Sequence, residues 1–183
     1  MKGGPTTEPM SEQTQAEFLT RMRALPVHEF RVQLTWLYWS TGMHPAASAD
    51  PYRWGVQRSG EHITWKRPKT SAWVSFPIGP DIRPFVDELL HELRERAKNG
   101  WKHDPKNRAL YYLRLVRELG QKIGIPELSP RMLRHTAVFR VVRRTHDINQ
   151  ARRLFRVSTE IAANYAYSPQ DQAADAQILR DGI

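Results

Sequence analysis

Cysteine is absent from the 183-residue chain, which excludes disulfides and thiolate-bound metals and fits an intracellular, cytoplasmic protein. Long apolar runs are missing too. Nothing reads as a membrane span or a signal-peptide core, and no basic helix has the clean apolar face needed to lie on a bilayer, so no membrane partner is expected. The seven histidines show none of the spacings by which helices present metal ligands, and neither a metal nor a cofactor is expected. Acidic side chains are short of balance, 19 against 28 Lys plus Arg, for a formal charge of +9. Such an excess favours a polyanionic partner through salt-sensitive binding, and nucleic acid is the first candidate. An RNA-binding role is a distant alternative, since no RNA-recognition motif or exposed aromatic pair is legible.

What remains is enough for one core of ordinary size, with 40% of residues hydrophobic. Residues 1–11 are Gly, Pro, Thr and Glu with little that is apolar, and read as a disordered tail. Phe18, Leu19, Met22 and Leu25 recur at helical spacing up to Pro26. His28 to Ser40 predicts a deeply buried helix that ends at Gly42, with Trp36, Tyr38 and Trp39 as core. Short β-type runs follow at Trp54–Gln57, His62–Trp65 and Ala72–Ile78, broken by Ser59-Gly60 and by Arg67 to Thr70. Further helices are predicted over Asp81–Asn99 and Ala109–Leu119, with a Gly- and Pro-rich connection from Gly120 to Pro130. The fold class is therefore α+β, mainly helical, with a small three-stranded antiparallel sheet.

From Ser129 to Tyr167 the chain reads as three short helices. Pro130 is placed for a first turn, Asp147 for the N-cap of the second helix, and Ser158 or Thr159 for that of the third. Leu133, Ala137, Val138 and Val141 mark a buried face. Arg131, Arg134, Arg140, Arg143, Arg144, Arg152, Arg153 and Arg156 face only two acids, Asp147 and Glu160. A surface of that kind is suited to tracking phosphates.

Four blocks, in order, resemble the catalytic domain of the tyrosine recombinases, the phage-integrase family, over roughly residues 11–167. STGMHPAAS at Ser40–Ser48 is similar to the family's Thr-Gly-apolar-Arg block, and RPKTSAWVSFPI at Arg67–Ile78 to the hairpin that carries a catalytic lysine. SPRMLRHT at Ser129–Thr136 is similar to the His-x-x-Arg-His-Thr block. LFRVSTEIAANYAY at Leu154–Tyr167 is similar to the Leu-Gly-His block, with a tyrosine nine residues beyond its third position. The resemblance implies DNA strand cleavage and rejoining through a 3′-phosphotyrosyl intermediate, as in recombination or integration by mobile elements. It implies Tyr165 as nucleophile, Lys69 as general acid, Arg134 as phosphate clamp, and Arg131 and Arg156 as supporting cations, with His135 a secondary contact. Double-stranded DNA is the implied partner, contacted also by Arg67, Arg140, Arg143, Arg144, Arg152 and Arg153. The family's separate helical N-terminal domain is expected to be absent. Residues 169–183 are expected to dock in trans on a second copy through Ile178 and Leu179.

The departures are as informative as the matches. His44 stands where the family has its first arginine and Ala47 where an acidic residue is usual, while Arg131 and Arg156 replace two histidine-type positions. Phenol chemistry makes the loss at His44 weigh. With a pKa near 10, about one tyrosine in a thousand is ionised at neutral pH, a deficit of roughly 4 kcal/mol that cations must cover. Losing one preorganised donor to the phosphorane typically costs about 10² to 10³ in rate. Two functions thus stay open: a recombinase with His44 in an arginine's place, or a catalytically impaired recombinase fold kept for DNA binding or regulation. Each residue also has a plain reading: Tyr165 a core tyrosine, Lys69 a solvated turn lysine, His135 a structural histidine, His44 a helix-capping one.

Overall fold

The computed structural model describes residues 8–99 and 104–155. Arg156, Tyr165, the third helix of the basic stretch and the C-terminal segment with Ile178 and Leu179 lie outside the described residues. The described chain falls into two compact units, which meet in sequence between Ala137 and Val138.

The first unit opens with α1 (Glu12–Arg23), whose N-cap Ser11 accepts from the Thr14 amide. The chain joins the core sooner than its composition suggests: Met10 is buried, and its N–H donates to Thr136 Oγ1 at 2.9 Å. Helix α2 (Phe30–Thr41) is the central element, and its residues from Val32 to Trp39 are all buried. Trp36, Tyr38 and Trp39 are core, as their place in an apolar helix predicts, and Phe18 packs on both tryptophans, 4.7 Å from Trp39 between ring centroids. Gly42 ends α2 in the left-handed conformation, φ 61°, where its N–H closes on Tyr38 O. A short helix that periodicity did not signal, α3 (Pro45–Ala49), follows at once. Five residues are too few to show a period, but Pro45 at its first position is a start signal.

The sheet is a meander of β1 (Gln57–Ser59), β2 (His62–Lys66) and β3 (Trp73–Pro77), antiparallel in the order β1-β2-β3. β1 begins three residues later than the apolar run Trp54–Gln57 predicts. The preceding segment closes a turn instead, with Trp54 N on Asp50 O, Val56 N on Pro51 O, and Gly55 at φ 60°. Alternation along β2 and β3 buries Ile63, Trp65, Val74 and Phe76, with Trp65 stacked on Phe76 at 5.3 Å. The register pairs Lys66 with Trp73 and leaves residues 67–72 as the connecting loop.

Helix α4 (Val86–Lys98) starts five residues later than expected, because Pro84 can neither donate to the helical ladder nor let Arg83 settle in the α region. Residues 79–85 make isolated turns. Helix α5 (Pro105–Lys122), capped by Asp104, starts earlier and runs through Gly120, where a stop is the simpler sequence reading. The reason is steric. A Cβ on Gly120 would lie 2.5 Å from Leu128 Cβ and 2.6 Å from Ile125 O, so this glycine admits the returning chain rather than ending the helix. Gly120→Ala is therefore expected to destabilise by about 1–3 kcal/mol despite alanine's higher helix propensity, read as a lowered urea midpoint. An equal or higher midpoint would show that the return can shift.

Helix α6 (Pro130–Thr145) is capped by Ser129 Oγ, which accepts from Met132 N at 3.2 Å. It places Leu133, Thr136 and Ala137 in the core of the first unit. The second unit continues with Val138, Phe139 and Val142 buried, while Val141 is only half-buried, so the buried stripe drifts one position from the expected one. His146, at φ 51°, makes the corner into α7 (Ile148–Phe155). Asp147 caps α7 as its position predicts, with Oδ1 accepting from Asn149 N at 2.8 Å.

Candidate active site

Three segments of the first unit carry the site residues His44, Arg134 and Lys69 that the sequence proposes. The first is the corner after α2. His44 is the N-cap of α3, where its Nδ1 accepts from Ala46 N at 3.1 Å. A cap that accepts must be unprotonated at that nitrogen, so the ring is neutral and carries its proton on Nε2. Capping was the plain alternative for His44, although the helix it caps follows it rather than precedes it.

The second segment is the start of α6. Arg134 Nη1 donates to Gly42 O at 2.6 Å, tying α6 to the left-handed corner that leads into His44. The third is the β2–β3 loop. Ser71 N and Thr70 N both close on Arg67 O, and Arg67 N on Ala72 O, so Lys69 stands exposed on a tight, internally bonded turn.

Electrostatics shows that these segments share one field. His44 is held below its ordinary pKa, first by partial desolvation and then by the positive charges of Arg134, Lys69 and Arg67. His135 is pushed down to about 4, by burial first and then by Arg131 and Arg134. The Arg67 guanidinium is half-buried, and burial lowers its pKa as well. Among the described residues, every charged group named as shifting either histidine is a cation. Arg67, which the sequence placed among the DNA contacts, thus acts on His44 through its charge. The Gly42 carbonyl was missed as an anchor, and the Thr-Gly before His44 was the signal available for it.

The His135 shift has a consequence for stability. Between pH 4 and 6.5 the unfolded chain takes up a proton there that the folded one refuses, so stability rises with pH across that window. The contribution is complete above the unfolded value and is lost as pH falls toward 4, by the order of 1–3 kcal/mol after discounting for solvent screening. Urea midpoints of wild type and His135→Gln should therefore converge as pH is lowered through this window. Parallel curves would show that no neutral histidine is held there by the fold.

The expected DNA-contacting arginines of the second unit lie on α6 and α7. Arg143 and Arg144 are exposed and Arg140 half-buried, and Arg143 lies 5.8 Å from the Phe139 ring centroid. Arg153 pairs with Asp147 at 3.7 Å, and Arg152 donates to Asn149. Among the described residues no group of His, Cys, Asp and Glu could hold a metal ion, and no helix is long and apolar enough to cross a membrane.

No family sequence model matches the chain, and no protein of curated function matches it by sequence. Solved structures do. The XerH site-specific recombinase bound to its difH substrate in a pre-cleavage complex superposes with a TM-score of 0.61 at 17% identity, over 92% of this chain and 52% of that one. The post-cleavage complex of XerH on palindromic difH gives 0.67 at 16% identity, over 98% and 55%. The Tn1549 transposon integrase, in complex with transposon right end DNA, gives 0.52 at 13% identity, over 97% and 67%. The chain has the catalytic-domain fold of the tyrosine recombinases. The fold expected from the four sequence blocks is therefore the one found, and the chain spans about half the length of the XerH chains it matches.

Proposed function

We propose that this recombinase-fold protein binds double-stranded DNA and cleaves and rejoins one strand at a time, Tyr165 attacking a phosphodiester to give a 3′-phosphotyrosyl link and a free 5′-hydroxyl. The observation that carries the reading is that Arg134 bonds the Gly42 carbonyl two residues before His44 and that the charges of Arg134, Lys69 and Arg67 all hold the His44 pKa down. A phosphodiester is the anion such a site takes, and fixed guanidinium donors stabilise the charge gathered on its non-bridging oxygens. Lys69, on an exposed turn, supplies the proton that the leaving 5′-oxygen requires. Arg131 and Arg156 add positive potential. Arg140, Arg143, Arg144, Arg152 and Arg153 add contacts to the DNA backbone, and a second copy engages through the C-terminal segment. The DNA-bound state of the XerH and Tn1549 neighbours supports DNA as the partner.

The test works without a defined target sequence. A pool of nicked duplexes of random sequence is incubated with the protein, denatured in SDS, and the covalently retained strands are sequenced. A phosphotyrosyl peptide containing Tyr165 is the expected product. Binding without any covalent product from an exhaustive pool would leave the second reading, a DNA-binding recombinase fold without catalysis.

His44 sets the expected rate. As a neutral imidazole it offers one Nε2–H, where an arginine would offer a two-pronged fork. His44→Arg should raise the initial rate of adduct formation by about tenfold or more, up to the 10² to 10³ that one preorganised donor is worth. The same change loses the α3 cap, at about 1 kcal/mol of stability. His44→Asn keeps a capping side chain and should be as stable as wild type but no faster. An arginine variant no faster than the asparagine one would remove this position from the phosphate site.

A further inference from the structure

Beside the Lys69 turn the sheet carries an aromatic and cationic surface that the cleavage chemistry does not use. Trp73, the first residue of β3, is 50% exposed on the outer, polar face of the sheet, which also presents Gln57, Thr64 and Ser75. Its ring is held rather than loose. A Cβ on Gly55 would come within 2.9 Å of the indole, so that glycine is where the ring seats. On the facing strand, Lys66 Nζ lies 5.3 Å from the ring centroid. Lys66 N also bonds Trp54 O at 2.7 Å, and the Arg53 guanidinium stacks over Trp54 at 4.9 Å. Between Pro51 and Pro80 the only acidic residue is Glu61, and it is paired with Arg58 and Arg83. Around the half-open indole the sheet therefore offers the Lys66 ammonium, while the nearby acids Asp50 and Glu61 are engaged, by the Arg53 amide and by Arg58 and Arg83.

We propose that Trp73 and Lys66 form a stacking platform for an unpaired nucleotide of single-stranded DNA, next to the turn that carries Lys69. An indole face can pair only with a base whose own face is uncovered, which an intact duplex does not offer, whereas a neighbouring ammonium serves the phosphate of any strand. Seating the ring on Gly55 fixes it before binding, so little ordering cost remains when a base arrives. The proposal rests on DNA as partner but not on Tyr165 as nucleophile, because strand cleavage and a stacking contact are measured separately.

The experiment is fluorescence anisotropy with a labelled dT oligonucleotide of about 20 nucleotides, and with a duplex of the same length, in the absence of any covalent reaction. Trp73→Ala is expected to weaken binding to oligo-dT by about 5- to 150-fold, the range for one lost base–aromatic stack, with duplex affinity little changed. Trp73→Phe should restore most of the loss. A second readout, 19F NMR of the wild-type chain labelled with 5-fluorotryptophan, with the Trp73 resonance assigned by its disappearance in Trp73→Phe, should show that resonance moving with oligo-dT and not with duplex. Equal losses on both DNAs, no loss on oligo-dT, or a resonance indifferent to oligo-dT would each overturn the platform. The NMR result decides alone if Trp73→Ala does not fold. Neither readout depends on whether the nicked-duplex pool yields an adduct.

Discussion

Tyr165→Phe is expected to abolish covalent attachment to DNA, by about 10⁴ or more in initial rate, while non-covalent affinity stays as in wild type. The asymmetry follows from the chemistry. In the proposed mechanism, removing one hydroxyl oxygen leaves the cations to hold the phosphate but takes away the nucleophile that attacks it. A residual adduct in the phenylalanine variant, mapped to another side chain, would move the nucleophile elsewhere. Loss of adduct and of binding together would show a structural role for Tyr165. The nicked-duplex assay distinguishes these because the covalent product survives SDS and the non-covalent complex does not.

Much of this architecture was legible in the residues alone, and the misses have identifiable causes. The buried α2 was plain because aromatic and aliphatic residues cover most of its surface, and Gly42 and Asp147 declared themselves through the chemistry of a left-handed cap and a side-chain cap. The β2 and β3 runs and the turn between them were legible from their β-type residues and the Arg67–Thr70 break, and the structure adds the register that pairs Lys66 with Trp73. What failed was whatever depends on distant parts of the chain. Gly120 looks like a stop until Leu128 and Ile125 are seen returning across it, and Trp54 looks like a strand until Gly55 turns under Trp73. At the site, residue types pointed to Arg134, Lys69 and His44, but not to what each is doing. That His44 spends one nitrogen on a backbone cap, or that Arg67 is half-buried and acts on His44 through its charge, is set by tertiary packing that residue types do not declare.

Arg134 shows how strongly that packing should matter. Its Nη1 donates to Gly42 O at 2.6 Å, so one side chain both orients the corner before His44 and, in the proposed mechanism, clamps the phosphate. Arg134→Ala is expected to slow adduct formation by about 10² to 10³ through the lost donor, and by more if the corner relaxes. It should also lower stability by about 1.5–3 kcal/mol, the usual worth of a hydrogen bond to a charged group whose loss leaves a buried carbonyl unmet. Arg134→Lys keeps the charge, but its single ammonium cannot serve the carbonyl and span two phosphate oxygens as a planar fork does, so an intermediate rate is expected. Added guanidinium at concentrations too low to denature separates the two duties. Rescue of the Arg134→Ala rate without recovery of its melting temperature would assign the rate loss to the missing phosphate donor. Recovery of neither, with a rate loss no larger than that of an equally destabilised core variant, would reduce Arg134 to a strut between α6 and Gly42. The sharper expectation is the first, because the Arg134 charge reaches both His44 and His135 and one hydrogen bond to Gly42 O uses only part of its five-donor fork.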